Sequence, residues 1–177
     1  MKDNMRILTA QDVLNIEDCP MAVLSDNLGS PVAGAIKGHT RGAYNHFMWL
    51  IEPGTFCSQD LTFKRVAAGE YLKGAHRLKF WTNPSWKPNQ REAIIAALKK
   101  DLDKPWYRKL YDWPAIIGQA LNWRWLQVPG IDICSDKARL LALVDFRYDL
   151  ENPDPQDVNA WLERTYGYEV YGRYIPD

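Results

Sequence analysis

The segment "NHFMWLIEPG" (45–54) limits the fold more than any other stretch. Side chains of a strand alternate between faces, and here both alternating sets are apolar. Such a strand has no face to give to water, so it belongs in the middle of a sheet covered on both sides. Pro53-Gly54 stops it. "TFCSQDLTFKRVA" (55–67) returns across that turn as the second strand of a hairpin. "MAVLSD" (21–26) and "HRLKFWT" (76–82) are further strands, with "AGEYLKG" (68–74) a short helix before the latter. "SPVAGAIKGHTRGAY" (30–44) is a weak helix or turn-rich segment, because Gly34 and Gly38 cost helix stability.

The second half of the chain reads as helical. In "NPSWKPNQREAIIAALKKDLD" (83–103), Ile94, Ile95, Leu98 and Leu102 share one face. "YDWPAIIGQALNW" (111–123) is a second helix, interrupted at Gly118, and Cys134 to Val144 a third, with Cys134, Ala138 and Leu141 on one stripe. Asp154 is placed to N-cap a fourth helix with Pro155 in its first position. A strand-rich half followed by a helix-rich half indicates an α+β fold with an antiparallel sheet. The 177 residues suit one domain, with 150–177 forming a C-terminal helix and a tyrosine-rich tail.

Lys plus Arg equals Asp plus Glu at 22 each, so no net field draws the chain to nucleic acid or to an anionic membrane. No apolar run reaches the ~18 residues a membrane span needs. "MKDNMRILTAQDV" lacks the apolar stretch of a signal peptide, and free thiols at Cys19, Cys57 and Cys134 fit a reducing compartment. The expected location is therefore cytoplasmic. With no C-x-x-C, no H-E-x-x-H and three scattered histidines, neither a metal site nor a cofactor is expected. A P-loop and a G-x-S-x-G elbow are absent too. "HRLKFWTNPSWKPNQR" mixes basic and aromatic residues, but reads better as a snorkelling face than as a nucleic-acid surface. Six of the eight tryptophans fall between 81 and 125, which suits either a core or an aromatic-walled cleft.

Cys134 carries the candidate chemistry. It follows a Pro-Gly turn and opens a helix, with Ser135 and Asp136 next in the chain. Unpaired N–H groups at a helix start favour a thiolate and can hold an oxyanion. The plain alternative is a small hydrophobe opening a core helix. A thiol nucleophile needs a base, and His46 is the histidine held by rigid sheet; a structural role for it stays open. Cys57 sits in mid-strand and reads as packing.

Taken together, "GAYNHFMWLI" and "YDWPAIIGQALNW…GIDICSDKARLL" resemble the circularly permuted papain-fold hydrolases, the YiiX-like and lecithin retinol acyltransferase-like group. The resemblance spans most of residues 20 to 145. It includes the permuted order, His46 coming some 88 positions before Cys134. It implies a papain-like domain in permuted order, with Cys134 the nucleophile and His46 the general base. The reaction implied is attack on an amide or ester through a thioester acyl-enzyme, on a peptide, lipid-like or small acyl substrate, without a cofactor. The group includes enzymes acting on cell-wall peptides, but without a signal peptide a wall hydrolase would need another route of export, such as phage delivery. The rival reading is an inactive binding or structural module of the same fold.

The group places the residue that orients the histidine on the following strand, here "CSQDL". Facing and spacing select Gln59, while Asp60 faces oppositely on an ideal strand unless a bulge reverses it. Glu52, ~20 Å from His46 by strand rise, is too far. Tyr44 is a candidate oxyanion donor or substrate-positioning residue, or an edge aromatic, and Ser135 is a second candidate in that role.

Overall fold

The strand that is apolar on both faces has helices on both sides of it. The computed structural model describes residues 6–29, 42–110, 134–151 and 153–176. In chain order these form β1 (Ile7–Leu8), α1 (Ala10–Leu14), β2 (Met21–Asn27), β3 (His46–Glu52), β4 (Thr55–Gln59), β5 (Phe63–Ala67), α2 (Ala68–Leu72) and β6 (His76–Thr82). Then come α3 (Pro88–Leu102), a 3-10 turn η1 (Trp106–Arg108), a longer 3-10 helix η2 (Cys134–Leu143), α4 (Pro155–Arg164) and β7 (Glu169–Tyr174). The strands make one seven-stranded sheet in the order β1-β7-β6-β2-β3-β4-β5. Every neighbouring pair is antiparallel except β1 with β7. This is an α+β fold.

The alternation in β3 sorts the core into two layers. Phe47, Trp49 and Ile51 face Ile94 and Leu98 of α3, Ala138 and Leu141 of η2, and Val158, Trp161 and Leu162 of α4. Met48 and Leu50 face the other way, toward Val13 beside Ile16, and Ala68 and Tyr71 of α2. Truncating such a buried aliphatic or aromatic side chain to Ala costs about 2–5 kcal/mol. Of the tryptophans, Trp49, Trp81, Trp86 and Trp161 are core residues, whereas Trp106 is exposed. Trp113, Trp123 and Trp125 lie outside the described residues, as do most of the weak segment at 30–44 and the expected helix at 111–123.

Two expectations are corrected, for 55–67 and for the segment from Cys134. The stretch 55–67 is not one strand: "DLT" breaks it, and β4 and β5 pair with each other. The tyrosine-rich tail, whose place the sequence leaves open, joins the sheet. As β7 it fills the place between β1 and β6, with Tyr174 buried against the α2 layer. The segment from Cys134 winds as a 3-10 helix, not an α-helix. The α4 start is as expected: Asp154 accepts hydrogen bonds from the N–H groups of Gln156 and Asp157, with Pro155 in the first turn.

One irregularity decides the neighbours of His46. Gly54 turns the β3–β4 hairpin with φ +70°, and Glu52 pairs with Thr55. A bulge between Leu50 and Glu52 then moves the register by one, so that Leu50 pairs with Phe56 and Met48 with Ser58. With an uninterrupted ladder Met48 would face Gln59. Because strand side chains alternate, the one-residue shift exchanges which β4 side chains share the face of His46.

Candidate functional site

His46 is the first residue of β3, and Ser25 of β2 lies directly across from it. Cys134 is the first residue of η2, which packs along β3; the Trp49 indole N–H donates to the Lys137 carbonyl at 3.0 Å. Lys137 in turn reaches Asp101 of α3 at 2.7 Å. These contacts hold the start of the 3-10 helix at the start of the strand. The Cys134 side chain and the His46 ring share a hydrogen bond there. Cys134 is buried, 2% exposed, and the His46 side chain is 14% exposed.

The far side of the imidazole is held by β4 and α2. His46 Nε2 lies 2.7 Å from Ser58 Oγ and 3.4 Å from Asp60 Oδ1. The Ser58 hydroxyl donates to Asp60 Oδ1 at 2.9 Å and lies 2.7 Å from the Tyr71 hydroxyl. Tyr71 also donates to Asp60 Oδ1, at 3.2 Å. Proton accounting then selects the tautomer. A carboxylate only accepts, so Ser58 spends its proton on Asp60 and must accept from the ring. An unprotonated Nε2 would also point its lone pair at a carboxylate. Nε2 therefore carries the hydrogen, and Nδ1 is left as the basic nitrogen.

Burial works against the charged imidazole, but Cys134, through charge and hydrogen bond, and then Asp60 outweigh it, so the His46 pKa is raised. Burial holds Cys19 and Cys57 the other way, each pushed up to about 12, as inert thiols. Cys57 is a core residue. Burial likewise raises the Tyr71 hydroxyl, with Asp60 adding to it, so Tyr71 stays a neutral donor. A second histidine stands close by. His76 Nδ1 is 3.2 Å from Ser25 Oγ, and its ring meets Tyr71 edge-on at 5.0 Å. Burial and then the charge of His46 lower its pKa.

The residues expected from sequence thus divide. Cys134 and His46 come together. Gln59 does not orient the ring: its amide donates to the carbonyls of Lys109 and Leu110 at 2.9 and 3.1 Å. The bulge is the reason, since it gives the His46 face to Ser58 and Asp60. Ser135 is no oxyanion donor, because its hydroxyl donates to the Pro153 carbonyl. Tyr44 packs against the core layer that α4 covers, with Lys79 Nζ 5.9 Å from its ring centre and Arg173, Glu163, Arg77 and Asp26 as the charges acting on it. Sequence reasoning misses Ser58 and Tyr71. Hairpin parity corrected for a bulge finds Ser58; the Tyr of "AGEYLKG" carries no such signal.

Among the described residues no group of three or more His, Cys, Asp or Glu side chains is placed to hold a metal ion. No described helix is long and apolar enough to cross a membrane. No protein-family model matches the chain, and a search of curated proteins finds no match.

Proposed function

We propose that the chain is a cysteine hydrolase or acyltransferase of the permuted papain-like type, acting on an amide or ester bond. The observation that carries this reading is the contact between Cys134 and an imidazole whose Nε2 is already committed to Ser58 and Asp60. His46 Nδ1 takes the Cys134 proton, and Sγ attacks the substrate carbonyl carbon. The backbone N–H at the start of η2 would help hold the oxyanion. As the tetrahedral adduct collapses, the imidazolium returns its proton to the leaving amine or alkoxide, leaving a thioester. Water or an acceptor then attacks with its proton passing to Nδ1, and the thiol is regenerated. Through both halves Nε2–H stays on Ser58, and Asp60 favours the charged ring. Substrates in keeping with the resemblance are peptides, lipid-like acyl compounds and small amides.

The burial of Cys134 favours a second reading, a binding module that keeps the fold and does not turn over. One experiment separates the two: the alkylation rate of Cys134 with iodoacetamide against pH, in a Cys19→Ser, Cys57→Ala background, with and without His46→Ala. The enzyme reading expects a thiolate titrating well below the free value of ~8.5, and about a tenfold or larger loss of rate near pH 6.5 in His46→Ala. Slow alkylation that is indifferent to His46 would end it in favour of the module.

A further inference from the structure

Three cations converge at one end of the sheet face that α4 covers. Asp26 pairs with Arg77 across β2 and β6, and Lys79 with Arg173 across β6 and β7. Two of the three are committed to carboxylates. Arg77 donates to Asp26 through Nε, at 3.1 Å, and through Nη2. Lys79 Nζ donates to Glu163 at 2.8 Å and to Asn159 at 3.0 Å. Arg173 differs. Its guanidinium has no hydrogen bond or ion pair among the described residues, and its Nε is sealed from solvent.

Arg173 lines a cavity of about 160 Å³ together with Tyr44, Arg77, Ala43, Tyr174 and Ile175. Tyr44 is half-buried, and its hydroxyl has no hydrogen-bond partner among the described residues. Arg77 keeps Nη1 free of Asp26, so its outer edge remains available to the cavity. The lining therefore offers a phenol O–H, part of a neutralised guanidinium and one whole guanidinium without an ion-pair partner. A guanidinium matches a carboxylate through two parallel N–H···O bonds, here from its two Nη groups, since Nε is sealed from solvent.

We propose that this cavity binds a small carboxylate, gripped by Arg173 and completed by the Tyr44 hydroxyl and the outer edge of Arg77. The single cation left without an ion pair suits a monoanion better than a doubly charged phosphate. Among the described residues neither Cys134 nor His46 lines the cavity, so the site is separate from the dyad, and Tyr44 acts in it as a binding residue.

The test is an NMR titration of the isotope-labelled full chain with acetate, N-acetylglycine and, separately, inorganic phosphate, at fixed pH and at ionic strength held constant with chloride. The expected result is saturable shifts at Ala43, Arg77 and Ile175 with the carboxylates. Arg173→Gln should weaken them by about tenfold or more, as loss of a charge-assisted pair implies. Arg164→Gln, which changes an exposed arginine outside the cavity, should leave affinity unchanged. The same spectra report whether each variant is folded; if Arg173→Gln is not, Arg173→Lys decides, because it keeps the charge and loses the fork. No saturation in the parent, or unchanged affinity in the deciding variant, overturns the site. Saturation by phosphate and not by carboxylates overturns the carboxylate assignment. None of these outcomes depends on Cys134 reactivity, so this proposal and the enzyme reading fail separately.

Discussion

On one face of the sheet, His46 heads a chain of hydroxyls from Ser58 and Tyr71 that ends at Asp60, a carboxylate 39% exposed. On the opposite face Arg77 is clamped to Asp26, and Lys79 to Glu163 and Asn159. Both arrangements satisfy buried polar groups, but they leave different freedoms. A clamped guanidinium or ammonium is spent on its carboxylate, so it serves geometry. The hydroxyl chain commits one nitrogen of a ring whose pKa is raised and leaves the other unassigned. The difference lies in what each network leaves unassigned, not in how polar it is.

The largest effects should come from breaking the clamps, and they should rank by what is stranded. Arg77→Ala takes the guanidinium from Asp26, which is 1% exposed, and should cost about 3 kcal/mol. Lys79→Met leaves Glu163, which is 53% exposed and can be hydrated, so about 1 kcal/mol is expected despite the deeper burial of the lysine. Urea midpoints at constant m-value would measure both. If Lys79→Met proved the costlier, then contacts of the ammonium with Trp81, 4.4 Å from Nζ to the ring centre, would outweigh the ion pair.

A smaller effect is expected at Asp60, and it is visible in reactivity instead of stability. Asp60→Asn removes a charge that favours the imidazolium. The carboxylate is part-exposed, so the interaction is screened to about 1 kcal/mol or less, or roughly fivefold at most in Cys134 alkylation near neutral pH. Gln59→Ala should leave alkylation unchanged, since its amide serves two backbone carbonyls. A larger loss in Gln59→Ala than in Asp60→Asn would reverse the assignment made from the bulge.

That assignment shows where the sequence is legible. The apolar alternation of 45–54 is enough to place β3 in mid-sheet, and Asp154-Pro155 marks the start of α4, because both signals are local. The partners of His46 are not legible, because they depend on register. One extra residue between Leu50 and Glu52 decides whether Gln59 or the pair Ser58 and Asp60 faces the ring, and no motif in "LIEPGT" announces a bulge. The tyrosines of the C-terminal segment are equally ambiguous. Strand β7 is half-buried with Gly172 in it, so its pairing with β6 and β1 rests on tertiary context and not on a strong period of two. Ser135 fails for a related reason: a hydroxyl in a first helical turn is placed by sequence, but its acceptor, the Pro153 carbonyl, is brought in by the later chain.

The finest comparison is between the two histidines that flank Tyr71, and it turns on sign. His46 has a raised pKa, so the folded chain holds its proton longer than the unfolded chain does. Its contribution to stability is complete below the ordinary 6.5 and is lost as pH rises through the folded value. His76 has a lowered pKa, so its contribution is present above 6.5 and is lost as pH falls through the folded value. The stability difference between parent and His46→Gln should therefore shrink with rising pH, and that between parent and His76→Gln should grow. Each slope is bounded by about 1.4 kcal/mol per pH unit. Urea midpoints between pH 5 and 8.5 would resolve the two. Cys134→Ala sharpens the contrast. Burial is the largest single influence on His46, and with the thiol gone only Asp60, the smallest, opposes it. The His46 slope should then reverse and match that of His76. An unchanged slope in Cys134→Ala would mean that the thiol does not set the charge of the imidazole, and the dyad would lose its electrostatic basis.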